Sequence, residues 1–188
     1  MNMKKILLIA ALGLVSVAGF AQKFAHVNSQ ELIQLMPEMD QAREVMDASQ
    51  KEALETYQSM IDEQQTKYTQ YQQKAATWTQ AIKESKEREL TEISQRIQEF
   101  QQSIQMELQQ QEQTLMAPIY EKANNTIQDL AKKGGYIYVF DISQPLYVDP
   151  AQSTDLTPAA RKALGIPEGR TLEQLQAELQ AKAQAQAE

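Results

Sequence analysis

Chemistry on a small molecule needs groups that titrate, ligate or attack, and this sequence holds few of them in useful company. It has one histidine, His26, and no cysteine. A lone histidine cannot assemble a zinc-type cluster, and without cysteine there is no thiolate nucleophile. His26 sits in a strand-like run and is read as structural or surface-facing. Carboxylates are plentiful, for example Glu84 and Glu87, but they alternate with Lys and Arg in a helix-forming stretch. That pattern describes a solvated helix face better than a general acid and base. No glycine-rich phosphate loop and no G-x-S-x-G turn occurs, and Asn124-Asn125-Thr126 matches a glycosylation triplet only inside a helical pattern. Met46, Met60, Met106 and Met116 fall at or beside an apolar stripe. Ordinary packing explains them first, and an adaptable surface for varied ligands second. No catalytic residue, metal site or cofactor is assigned, so what remains is a chemistry of contact.

The elements that would present such contacts begin after a leader. Lys4 and Lys5 precede an apolar run, Ile6 to Ala18, and Gly19-Phe20-Ala21 places small residues before Gln22. This is the pattern of a cleaved secretory signal over residues 1–21, too short for a comfortable membrane span. No later segment reaches the ~20 apolar residues that cross a bilayer. The formal charge is −7, and loss of Lys4 and Lys5 takes it to −9. An acidic chain with no basic patch argues against nucleic acid as a partner. Without cysteine, stability must come from packing or association, in a compartment that would permit disulfides.

Between Pro37 and Pro118 there is neither glycine nor proline. Gln, Glu, Lys, Ala and Leu dominate there, all good helix formers. Leu54, Tyr57, Ile61, Tyr68, Tyr71, Ala75 and Trp78 recur in steps of three and four, with Gln64 filling one gap. A second series runs Leu90, Ile93, Ile97, Phe100 and Ile104, and a third Leu115, Ile119, Ala123, Ile127 and Leu130. Narrow stripes of this kind are coiled-coil seams. The rhythm slips between Trp78 and Leu90, and one unbroken helix could not bury its own stripe. The chain is therefore expected to fold back near Ala76 to Ala81, with Thr77-x-x-Gln80 as a capping box. Each arm of the hairpin would be about 50–60 Å long. Its seam of Tyr, Ala and Gln is weak, so the hairpin should be flexible. Pro118 should kink the returning helix, and Lys132, Lys133, Gly134 and Gly135 should end it.

Short strands flank the arms. Phe24 to Val27 reads as one, followed by Asn28-Ser29 capping a helix through Leu35. Tyr136 to Asp141 reads as a second, and Leu146 to Val148, between Pro145 and Pro150, as a third. Asp155 or Thr157 caps a last short helix ending near Gly165. The Gln/Ala-rich tail after Pro167 is left as a weak helix through Leu172, Leu175 and Leu179 or as disorder. Three short strands make no stable core alone, so a head assembled from several chains is the natural remedy. The expected organisation is a leader, 1–21; a strand and short helix, 22–40; the arm, 41–117; the helix base, two strands and short helix, 118–166; and the tail, 167–188.

Over residues 22–166 these features, in this order, resemble the Skp/OmpH family of periplasmic chaperones of Gram-negative bacteria. The resemblance rests on the opening strand and Asn28, the Gln-rich hairpin with Arg96-Ile97-Gln98-Glu99-Phe100, and Pro118-Ile119-Tyr120-Glu121-Lys122-Ala123. Tyr136-Ile137-Tyr138-Val139-Phe140-Asp141 and Asp155-Leu156-Thr157 complete it. The resemblance implies a mainly α fold with a small β part, in which a long antiparallel coiled-coil hairpin projects from a small β-body built by a homotrimer. It also implies a periplasmic, ATP-independent holdase that keeps unfolded outer-membrane proteins in a cavity between arms. The best-known members are basic; this chain is acidic and lacks a Lys/Arg cluster, so no lipopolysaccharide site is carried over. Client contacts are expected to be distributed over Tyr57, Met60, Tyr68, Tyr71, Trp78, Ile93, Ile97 and Phe100. The trimer body is expected at Val27, Ile137, Val139, Leu146 and Val148. The competing reading is a coiled-coil spacer or scaffold of the envelope, which should carry a stronger and more regular seam than this one.

Overall fold

The computed structural model describes residues 22–143 and 145–187; the leader expected over residues 1–21 lies outside them. The described chain is mainly helical with one small sheet. In order it forms β1 (Lys23–Val27), α1 (Ser29–Leu35) and α2 (Pro37–Lys74), then a 3-10 turn (Ala75–Thr77). The return is α3 (Gln80–Gly134), followed by β2 (Tyr136–Asp141), β3 (Ser153–Asp155), α4 (Thr157–Ala163) and α5 (Leu172–Ala187). Two compact units result. One holds the described residues up to Gln34 and from Ala123 onward, and the other runs Leu35–Lys122.

The first unit is organised by β1, the middle strand of a three-stranded sheet in which both neighbours run parallel to it. A central parallel strand is covered on both sides, and KFAHV behaves so: Ala25, His26 and Val27 are all buried. Asn28 ends the strand and caps α1. Its side-chain oxygen accepts from the Glu31 amide at 3.0 Å, while its own amide donates to Thr157 Oγ1 at 3.0 Å. Leu32 of α1, Ala160 and Leu164 around α4, and Leu156 before it supply the apolar core.

The expected strand at Leu146–Val148 does not form. Two prolines bracket only three apolar residues there, and the chain offers them no strand partner; Leu146 and Tyr147 are exposed. The third strand lies further on, at Ser153–Asp155. Asp149 makes the turn into it, accepting from the Ala151 amide through its side chain (2.9 Å) and from the Ser153 amide through its carbonyl (2.9 Å). His26 Nδ1 then bonds Ser153 Oγ at 2.9 Å, which gives the one histidine a structural partner.

The tail resolves as α5. Thr171 and Gln174 form a reciprocal box: the Gln174 amide donates to Thr171 Oγ1 and the Thr171 amide to Gln174 Oε1, each at 3.2 Å. Leu175 is buried, whereas Leu179 is exposed. Arg161 fixes the approach to this helix, reaching Glu31 Oε1 (2.5 Å) and the carbonyl of Arg170 (2.5 Å).

The second unit is the arm. Met36 is extended (ψ 140°) ahead of Pro37, as a residue before proline prefers, and Pro37 opens α2. No glycine or proline follows until Pro118, so α2 runs 38 residues. The turn falls where the stripe slips, but not through the expected box. Thr77 Oγ1 donates to the Lys74 carbonyl inside the 3-10 turn (2.8 Å), and α3 starts instead from Thr79, whose carbonyl accepts the Lys83 amide. Pro118 lies inside α3 without ending it. Gly135, at φ +69°, closes α3 in the left-handed conformation that favours glycine.

Candidate functional site

The arm is where side chains of the second unit are offered to solvent over a long surface. Its two helices run antiparallel, and cross-links fix their register. Gln64 Nε2 donates to Ser94 Oγ at 2.8 Å, so the polar residue filling the gap in the stripe is satisfied from the facing helix. Arg96 approaches Glu63 at 3.6 Å. Lys67 pairs with Glu89, and Lys86 joins Glu89 at 2.8 Å. Near the turn the Tyr71 hydroxyl donates to Glu87, and the Tyr71 ring meets Trp78 edge-on at 5.9 Å. At the other end Lys122 pairs with Glu38.

Hydrogen bonds from Lys67, then Lys86, hold the Glu89 carboxyl down from its ordinary 4.5 to about 2. A depressed carboxylate contributes stability above its unfolded pKa and loses it as pH falls through the folded one. The turn end of the arm is therefore expected to lose this contribution between pH 4.5 and about 2. NMR titration of the side-chain carboxyls tests this. The Glu89 signal should move last, and Glu89→Gln should remove that late transition without altering the spectrum of the first unit. A Glu89 midpoint among the other glutamates would contradict the pairing.

Burial along the arm is uneven. Nearer the middle of the arm α3 buries Ile93 (2% exposed) and Ile97 (7%), with no buried residue between them and the turn. At the opposite end Met39 and Ala42 of α2 are buried, as is Ile119 of α3. Between these zones the seam is not filled: α2 buries nothing after Ala42, and α3 nothing between Ile97 and Ile119. A cleft of about 650 Å³ opens there between the helices. Phe100, Ile104 and Leu108 of α3 line it opposite small residues of α2, Ser49, Ala53 and Thr56. The large side chains on one side have no large partners on the other, so packing contact is lost along several turns.

These positions correct two expectations. Leu54 is 67% exposed and does not belong to the seam; Ala53 faces the cleft in its place. Ile93 and Ile97, expected among the client contacts, are buried as seam residues. Of the others, Tyr68 is exposed and Tyr57, Met60, Tyr71, Trp78 and Phe100 are half-buried. Leu54 and Met106, expected at or beside the seam, instead add exposed apolar surface.

The residues expected in the body also divide. Val27 is buried within the chain, Val139 is half-buried and Ile137 is exposed. Leu146 and Val148 lie off the strands. The larger unsatisfied surface is on the other face of the sheet. Phe24 stacks on Tyr138 (6.3 Å between ring centres), and Tyr138 lies beside Phe140 (6.0 Å), with Tyr138 59% and Phe140 48% exposed. The alternation Tyr-Ile-Tyr-Val-Phe puts these aromatics on one side of β2, opposite Ile137 and Val139. Exposed rings of this kind in a row mark an interaction surface.

Among the described residues no cluster of His, Cys, Asp or Glu is arranged to hold a metal ion, and no helix is long and apolar enough to cross a membrane. A family model described as outer membrane protein (OmpH-like) matches residues 23–164. The chain is 26% identical over 158 residues to the chaperone protein Skp of Yersinia enterocolitica, covering 82% of this chain and 95% of that protein. It also superposes with a TM-score of 0.68 on a crystal structure described as OmpH-like from Caulobacter crescentus. That match has 17% identity and covers 76% of this chain and 83% of the other.

Proposed function

We propose, since the chain belongs to the OmpH-like family, that it is an ATP-independent holdase of the periplasm. Three copies, on this reading, join through their sheet units, and their arms enclose an unfolded outer-membrane protein so that it does not aggregate. The leader at residues 1–21 would direct export and be removed before Gln22. The observation that carries the reading is the unfilled arm seam. A spacer or scaffold gains from a regular apolar seam that stiffens it. Here the helices leave a cleft, half-buried aromatics and exposed Leu54, Tyr68 and Met106 along the arm. Many shallow contacts of this sort hold a chain when several arms act together, because each further contact is made at high effective concentration. Assembly has its own support in the exposed Tyr138, Phe140 and Ile137 of β2, which one chain leaves uncovered.

Native mass spectrometry with a urea-diluted outer-membrane β-barrel protein tests the reading directly. The expected species is three copies of the chain plus one client, with no nucleotide present. A chain that remains free while the client aggregates at its buffer rate would remove the holdase reading and leave the envelope scaffold.

A further inference from the structure

The cleft midway along the arm differs from a merely loose seam in its volume and the charge of its lining. It lies between buried Ile93 and Ile97 on one side and buried Met39, Ala42 and Ile119 on the other, and shares Leu115 with a smaller cleft toward the base of the arm. Its α2 wall, from Ser49 to Thr56, is about 10 Å long, and its α3 wall, from Phe100 to Leu115, about 22 Å. An extended chain rises about 3.3 Å per residue, so about three residues lie against the α2 wall and about six along the α3 wall, with alternate side chains pointing to the same wall. A volume of about 650 Å³ is in the ordinary range of small-ligand pockets. The floor is Phe100, Ile104 and Leu108, and the two charged residues on the lining, Glu52 and Glu107, are both acidic.

We propose that this cleft is a slot for an extended segment of a client, an unfolded outer-membrane β-strand that inserts two alternate apolar side chains between the helices and presents Lys or Arg to Glu52 and Glu107. The inference rests on the holdase reading and adds to it. A client held this way is gripped within a single arm, in addition to being enclosed among arms. Strands of outer-membrane barrels alternate apolar and polar residues, which matches a slot with an apolar floor and polar rims. The acidic lining favours segments whose polar positions are basic, at a modest and salt-screened level. Ala53 is what keeps the slot open, since a large side chain there would complete the seam.

The test uses the full chain and a labelled twelve-residue peptide alternating Leu and Tyr with Thr and Lys. Ala53→Trp fills the slot, and Leu54→Trp places the same side chain one residue away on exposed surface. Ala53→Trp is expected to weaken peptide binding about tenfold or more and Leu54→Trp less than about twofold, with a tenfold change corresponding to 1.4 kcal/mol. Replacing the peptide lysines by glutamate is expected to weaken binding about fivefold at low salt. In the wild-type chain, peptide should shift the methyl signals of Ala53, Ile104 and Leu108 and leave that of Leu54 in place, a readout that does not depend on how well a variant folds. Equal effects of the two tryptophans, or shifts at Leu54 without shifts at Ala53, overturn the slot. So do the same shifts on raising protein concentration without peptide, which would assign the cleft to a second copy. If the wild-type chain suppresses aggregation of an unfolded barrel protein but Ala53→Trp does so equally well, the slot fails and the holdase reading stands. If the wild type does neither, the holdase reading fails first.

Discussion

A chain in which residues 50–110 are replaced by a short glycine-serine turn is expected to lose its suppression of client aggregation entirely, down to the level of buffer alone. The cut is set by the structure. Ser49 and Gln111 line the same cleft from facing helices. Met39, Ala42 and Ile119 stay, so the stub keeps the packed turns next to the cut. Tyr57, Met60, Tyr68, Tyr71, Trp78 and Phe100 go, and with them the surface proposed to hold clients. Light scattering of a diluted, urea-unfolded β-barrel protein reads the effect. Far-UV circular dichroism and native mass confirm that the shortened chain still folds and assembles. The intact protein should lose only a little activity as salt rises, since screening weakens charge contacts but not apolar ones. A shortened chain that protects the client as well as the intact one would show that the arm is not the holding surface.

The second large effect is on assembly. Phe140→Asp is expected to turn the proposed trimer into single chains with an unchanged helical spectrum. Phe140 is 48% exposed in one chain, so a carboxylate there is solvated until a second copy covers it. Burying it unpaired then costs about 3 kcal/mol per interface, about a hundredfold in affinity. Val139 is a poorer probe, because it is already half-buried in the single chain, so a charge there would disturb that chain as well. Sedimentation equilibrium decides. A wild-type protein that is already monomeric at micromolar concentration, or a variant that keeps the wild-type mass, would refute the proposed interface.

The hairpin was legible in the sequence because a long stretch without glycine or proline has few alternatives to helix, and a stripe that changes phase must fold back. The strands at β1 and β2 were legible from β-branched and aromatic runs next to Asn28 and Gly135. What stayed hidden has physical causes. Leu54 is more apolar than Ala53, so periodicity preferred it. With so much Tyr and Gln in the stripe, however, composition fixes the phase weakly, and the facing Ile104 and Leu108 decide it. Thr77-x-x-Gln80 and Thr171-x-x-Gln174 are the same pattern. The first fails because Thr77 is consumed by the 3-10 turn, while Arg161 holds the chain ahead of Thr171. Ser153–Asp155 has no strand-like composition at all. It is a strand because β1 presents an open side and His26 a partner for Ser153.

The parallel sheet has a consequence for the order in which the molecule assembles itself. Both neighbours of β1 lie more than a hundred residues downstream: Lys23 meets Tyr136 and Phe24 meets Ser153. A chain emerging amino terminus first therefore carries β1 unpaired through most of its synthesis, and contacts so distant in sequence form slowly. The hairpin shortens the search. Its helices zip from a local turn, and when Lys122 has reached Glu38 most of the intervening chain is already ordered. The stretch left to close between β1 and β2 is then α1 and the last turns of α3 in place of a hundred residues, and the closure cost falls with the logarithm of that length. The arm thus acts on the folding of its own chain, by bringing β1 and β2 within reach of each other.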